Sequence, residues 1–231
     1  MWKYAFVAAL VFAASAFGQR RFEFSLKVGV PITETFQTGS WDYLATGLQQ
    51  GVSATRRYTG GVGAVVRLPR GFAAEADVLY KRLGFDVNST SNPAVPFVLD
   101  HTWNTGNSLE FPMLGEYRFE HRRLLMPHIG AGVSVRTVAG ASTTGQCYSP
   151  TQYYQWCPSA VPYSQPVDPH FDARSHWGGV VAGGIERRAG FLRLVPEIRY
   201  SRWRADSPVT TGGYTVRSNP NQVDFLLGLN F

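Results

Sequence analysis

The chain ends on the stretch QVDFLLGLNF, residues 222–231. Successive side chains of an extended chain point to opposite faces, so Val223, Phe225, Leu227, Leu229 and Phe231 share one face and Asp224 and Asn230 the other. Alternation of this kind predicts a β-strand with one apolar side. The same period recurs along the chain, bounded by clusters of Gly, Pro, Asn and Ser.

Working back from this terminus, seven more runs repeat the pattern. Residues 22–30 set Phe22, Phe24, Leu26, Val28 and Val30 against Glu23, Ser25 and Lys27. Residues 60–68 carry Val62, Ala64 and Val66 on one side, and 72–82 set Ala74, Ala76, Val78 and Tyr80 against Glu75, Asp77 and Lys81. Residues 108–119 place Leu109, Phe111, Met113 and Tyr117 opposite Glu110, Glu116 and Arg118. In 127–137, Ile129, Val133 and Val135 oppose His128, Ser134 and Arg136; in 176–186, Trp177, Val181 and Ile185 oppose Glu186. Residues 191–203 set Leu192, Leu194, Ile198 and Tyr200 against Arg193, Glu197 and Arg199. Pro112 and Pro196 fall inside two of these runs, where a missing N–H interrupts a ladder, and bulges are expected there.

The links alternate in length. Leu68 to Gly71, Glu120 to Met126 and Arg187 to Gly190 are tight turns, whereas 31–59, 83–107, 138–175 and 204–221 are long loops. Short turns on one rim and long loops on the other, joining an even number of strands, describe an all-β, eight-stranded antiparallel up-and-down transmembrane β-barrel. Residues 1–18, MWKYAFVAALVFAASAFG, have the layout of a secretory signal peptide, with cleavage expected before Gln19 and the barrel domain spanning 19–231. The composition agrees, with 24 Gly, 14% aromatic residues and only Lys27 and Lys81 as lysines beyond the signal.

The formal charge of +6 raises nucleic acid as a partner, and the distribution of the charge excludes it. Inward strand positions hold seven basic residues (Lys27, Arg67, Lys81, Arg118, Arg136, Arg193, Arg199) and eight acidic ones (Glu23, Glu75, Asp77, Glu110, Glu116, Glu186, Glu197, Asp224). The excess lies at the short-turn end, on Arg20, Arg21, Arg70, Arg122, Arg123, Arg187 and Arg188, with only Glu120 beside them. A basic rim suits anionic lipid headgroups, while a nucleic-acid face needs interleaved aromatics that are missing. Eight strands leave room only for side chains in the lumen, so the inward charges are expected to pair as one continuous ionic network and plug it.

The terminal strand, together with Leu109-Glu110-Phe111-Pro112-Met113-Leu114 running into Tyr117-Arg118-Phe119, resembles the small eight-stranded outer-membrane proteins that include the OmpA transmembrane domain, OmpX and the PorT-like barrels. The resemblance covers residues 22–231 and implies a place in the outer membrane of a Gram-negative bacterium. It also implies insertion by the outer-membrane assembly machinery, which reads an alternating last strand with a final aromatic: here Val223, Phe225, Leu227, Leu229 and Phe231. Outer-membrane lipids are the expected surroundings. Family members include adhesins, lipid-modifying enzymes and proteins of no known activity, so the resemblance speaks for place and fold more than for function.

Cys147 and Cys157 are the only cysteines, and in an exported chain they are expected to form a disulfide within the longest loop. Free thiols, or zinc held with His170 or His176, are the alternatives. Tyr148, Tyr153, Tyr154 and Trp156 lie at or between them, an aromatic contact surface for a ligand of loop 138–175 or simply a shield over the barrel mouth. No nucleophile elbow and no metal-ligand spacing is present, and no cofactor is implied. A Ser/His site assembled in space from Ser175, His176 or His128 stays open. The sequence therefore predicts a plugged barrel with a structural or surface-interaction role and no enzymatic activity; a lipid A or phospholipid hydrolase, or a narrow pore, is the alternative.

Overall fold

The computed structural model describes residues 22–43, 47–54, 58–91, 99–119, 125–148, 163–165, 170–171, 175–190, 192–204, 208–211 and 214–231. Eight strands form the barrel wall: β1 (Phe22–Pro31), β2 (Thr59–Arg67), β3 (Phe72–Ser91), β4 (Leu99–Arg118), β5 (Leu125–Tyr148), β6 (Ser175–Ala189), β7 (Leu192–Trp203) and β8 (Asn221–Asn230). Each pairs antiparallel with its sequence neighbours, and β8 pairs back onto β1, so the ring is closed. Closure leaves no edge with unpaired N–H and C=O groups, which is what permits a strand to lie in hydrocarbon. At the seam the backbones of Phe231 and Phe24 exchange both hydrogen bonds, at 3.0 and 3.1 Å.

Alternation sorts the side chains. Phe24, Leu26 and Val28 of β1, Ile129 and Val133 of β5, Val181 and Ile185 of β6 and Ile198 of β7 are exposed on the outside. Glu23, Lys27, Glu75, Glu110, Glu186 and Arg199 are buried inside. In water this arrangement would be an extended aggregation surface; against lipid it is the stable one. The interior is not solely ionic, for Val65, Leu79, Leu114, Val180, Val195 and Leu226 also point inward and are buried. Aromatic rings gather at the short-turn rim, where Phe72 meets Tyr117 and Tyr117 meets Phe119 edge-on at centroid distances of 5.3 and 5.0 Å.

The first tight turn has a local cause. Between β2 and β3, Arg70 and Gly71 both take positive φ (66° and 80°), and the Leu68 N–H donates to the Phe72 carbonyl at 2.8 Å. A Cβ on Gly71 would lie 2.7 Å from the Arg118 carbonyl oxygen, so only glycine fits that close approach.

Two expectations are corrected. The links 83–107 and 138–175 do not begin as loops: β3, β4 and β5 continue past the wall, pairing Thr90 with Leu99 and Leu99 with Tyr148. Link 31–59 contains a hairpin, Gly39–Tyr43 and Gly47–Ser53, that joins the upper part of β3, and Tyr163–Gln165 adds to β5. Link 204–221 contains a second hairpin, Pro208–Thr211 and Tyr214–Arg217, on which His170–Phe171 pairs. Nor do Pro112 and Pro196 create bulges. Pairing lapses for two residues beside each, Asp77–Val78 opposite Phe111–Pro112 and Ile185–Glu186 opposite Val195–Pro196, and resumes in the same register. Each proline lets its missing donor face one neighbour while the other ladder runs unbroken. The register shift that does occur lies between Thr105 and Asn107.

Candidate functional site

The lumen gathers the charged residues that the sequence placed inward, and it does so in three tiers. At the short-turn end, Arg67 contacts Glu23 at 2.6 Å and Glu186 at 2.7 Å, and Arg193 pairs with the same two carboxylates. Arg118 joins Glu186 to Glu116, the latter at 2.7 Å. In the middle tier Lys27 contacts Glu75 at 2.5 Å and Asp77 at 3.0 Å, while Arg199 reaches Glu75 at 2.9 Å, Asp77 at 3.0 Å and Glu197 at 2.6 Å. In the upper tier Lys81 bridges Asp224 at 2.8 Å and Glu110 at 3.2 Å, and Arg136 contacts Glu110 at 2.6 Å and Gln222. Among the described residues no ion pair joins one tier to the next, so the expected continuous network is three clusters stacked along the axis.

The register explains the tiers. Glu75, Asp77 and Lys81 project from β3 at two-residue multiples, and Glu197 and Arg199 do the same from β7 across the lumen. Arg67, Arg118, Arg193 and Arg199 each reach two or three carboxylates, and Arg136 reaches one. The middle and upper tiers are nearly or wholly removed from water, with Arg199 among the most buried side chains, while Arg67 and Arg193 in the lowest tier stay 21% and 18% exposed. A charge in such a place persists only if its partners are present.

Above the upper tier the interior changes character. Arg136 lies over the Trp203 ring, 3.9 Å from its centroid, and Trp203 is buried. Beyond it Phe36, Leu83, Phe85, Val87 and Val138 form an apolar cluster, with the Phe36 and Phe85 rings 5.2 Å apart. Phe36 is held over this end by a bridge to Ser218 and by the Gln37 N–H donating to the Arg217 carbonyl. Sequence reading missed this cluster, although Leu83, Phe85 and Val87 continue the two-residue period of β3.

The other anticipated residues are distributed as follows. Arg70, Arg187 and Arg188 are exposed at the short-turn end; Arg20, Arg21, Arg122 and Arg123 lie outside the described residues. Cys147 and Tyr148 are in the last turn of pairing of β5, opposite Asp100 and Leu99, while Cys157, Tyr153, Tyr154 and Trp156 lie outside the described residues, as does the segment 1–18. Among the described residues, His128 and His176 are not brought together. His128 is in the lumen opposite Gly184, and His176 stands eight residues farther along β6, about 26 Å at strand rise.

A closed, short-turned, eight-stranded ring with polar inside and apolar outside points to a barrel made for a bilayer. The sequence matches the outer membrane protein β-barrel domain family over residues 12–202. The chain belongs to that family. As a member of it, the protein is a β-barrel of the Gram-negative outer membrane. No curated protein matches the sequence. Among solved structures, it is similar to the outer membrane protein OprG from Pseudomonas aeruginosa, at 9% identity and a TM-score of 0.50, covering 91% of this chain and 96% of that one. Others are AlkL (12% identity, TM-score 0.43, 93% and 91% covered) and Ail of Yersinia pestis (11% identity, TM-score 0.38, 91% and 99% covered). At such identities the likeness concerns the fold alone.

Proposed function

We propose that this family member is a non-conducting barrel with a structural or surface-interaction role, its lumen plugged by its own side chains. The observation that carries the reading is the stack of buried ion pairs capped by the apolar cluster of Phe36, Leu83, Phe85, Val87 and Val138. An eight-stranded ring has an interior just wide enough for side chains to fill. Opening a path for ions would mean parting guanidinium–carboxylate pairs away from bulk water, which is costly.

The surface role rests on the outer end. At about 3.4 Å per residue and a tilt near 40°, the 20 residues of β3 rise about 50 Å, twice the apolar band of roughly 25 Å. The sheet so raised would carry the segment 149–162, whose Tyr153, Tyr154 and Trp156, with Tyr148, would supply contact surface pinned by a Cys147–Cys157 disulfide. Outer-membrane lipids would meet the basic rim, and the alternating last strand would serve the assembly machinery.

The test is reconstitution in planar bilayers. Absence of stable single-channel currents is expected, and a large, long-lived conductance would refute the plugged lumen. Replacing residues 149–162 by a Gly/Ser linker should abolish surface adhesion while the barrel keeps its heat-dependent gel shift; unchanged adhesion would remove the loop from the proposal.

A further inference from the structure

Between the lowest and middle tiers three side chains, two of them already held in ion pairs, present polar atoms that no hydrogen bond meets. Glu116 of β4, His128 of β5 and Glu197 of β7 are all buried, and each offers one ligand atom within 4.8 Å of the others. Glu116 Oε1, Glu197 Oε2 and both ring nitrogens of His128 make no hydrogen bond among the described residues. The side chain of His128 is only 1% exposed, so water does not reach the ring freely. Three of these atoms, one on each of the converging side chains, call for a common partner.

The position is built by the backbone. In register, Arg118, His128, Gly184 and Glu197 form one row across β4, β5, β6 and β7. A Cβ on Gly184 would lie 2.5 Å from His128 Cε1, so the glycine clears the gap through which the ring faces Glu197. On the other side, a Cβ on Gly130 would lie 3.2 Å from Glu116 Cγ. Both carboxylates are already held from behind: Arg118 fixes Glu116 Oε2 at 2.7 Å, and Arg199 fixes Glu197 Oε1 at 2.6 Å. One oxygen anchored by a guanidinium and the other left without a hydrogen bond is how second-sphere groups orient metal ligands; Lys27 Nζ stands 3.9 Å from Glu197 Oε2.

Distance decides what the partner is. His128 Nε2 and Glu197 Oε2 are 3.6 Å apart, longer than a normal hydrogen bond. Two ligands of one tetrahedral zinc, each at about 2.0–2.2 Å, stand about 3.4 Å from each other. A proton on His128 would leave that contact long and Glu116 Oε1 unmet, whereas one ion engages all three side chains. We propose that Glu116, His128 and Glu197 form a site for a divalent transition cation of the zinc class inside the lumen. The site ties β4, β5 and β7 together and leaves a coordination position for water.

The test uses untagged, folded protein in detergent, stripped with chelator and titrated with Co2+ and Zn2+. The expected result is one tight equivalent, a visible d–d absorption with Co2+ that Zn2+ displaces, and a higher urea midpoint with metal bound. His128→Gln should weaken binding at least tenfold, and Glu116→Gln should weaken it while retaining the heat-dependent gel shift; His176→Gln should leave it unchanged. Wild-type protein that takes up no stoichiometric metal and gives no Co2+ spectrum overturns the site without reference to any variant. Equal binding by wild type and folded His128→Gln overturns it as well.

Discussion

One side of the barrel wall is short and the other tall. β7, β8, β1 and β2 have 12, 10, 10 and 9 residues, near the length needed to cross the apolar band, whereas β3, β4 and β5 have 20, 20 and 24. β3 shows what changes between the two heights. In its lower half Glu75, Asp77 and Lys81 point inward and Ala74, Ala76 and Val78 outward; above Lys81 the inward residues are Leu83, Phe85 and Val87, while Arg82, Asp86 and Asn88 take the outer face. The period is unbroken and the polarity inverts. Where lipid is outside, apolar residues face out and the interior can be ionic; where water is outside, the usual burial of apolar side chains returns.

Removing a charge from the lower region should have the largest effect. Arg199→Met would leave Glu75, Asp77 and Glu197 without their shared guanidinium, and a loss of about 3–5 kcal/mol is expected in urea unfolding of the detergent-folded barrel. A change near zero would mean that the lower interior is not held by its ion pairs. Phe85→Ala in the upper cluster should cost about 3 kcal/mol, felt locally: faster proteolysis within 31–53 and 83–91, with the heat-dependent gel shift retained. If the whole barrel unfolds instead, the two regions form one cooperative unit.

Smaller effects are expected at the short rim. Phe231→Ser removes the last outward aromatic beside the seam with β1, about 1.5 kcal/mol of apolar contact. It should lower outer-membrane levels on fractionation, and normal levels would detach this residue from assembly. Arg187→Ser with Arg188→Ser should weaken association with anionic over neutral vesicles by about 1 kcal/mol per residue at low salt. Indifference to lipid charge would leave that rim without a lipid role.

The wall was legible because lipid-facing strands need strict alternation, and QVDFLLGLNF at 222–231 already displays it. The inward charges, from Glu75 to Asp224, followed from the same parity. The end of β3 is not legible where parity persists but polarity reverses, at Lys81 and Arg82, because a local pattern carries no information about whether lipid or water lies outside. Pro112 and Pro196 suggest bulges because one sequence cannot show which of two ladders loses its donor. Sequence alone therefore determined which residues face in and which face out within the membrane. Only the tertiary structure decided which charges meet: Arg199 and Asp77 are 122 positions apart, and Glu116, His128 and Glu197 converge because the register of β4 to β7 sets His128 and Glu197 in one row with Glu116 two residues from it.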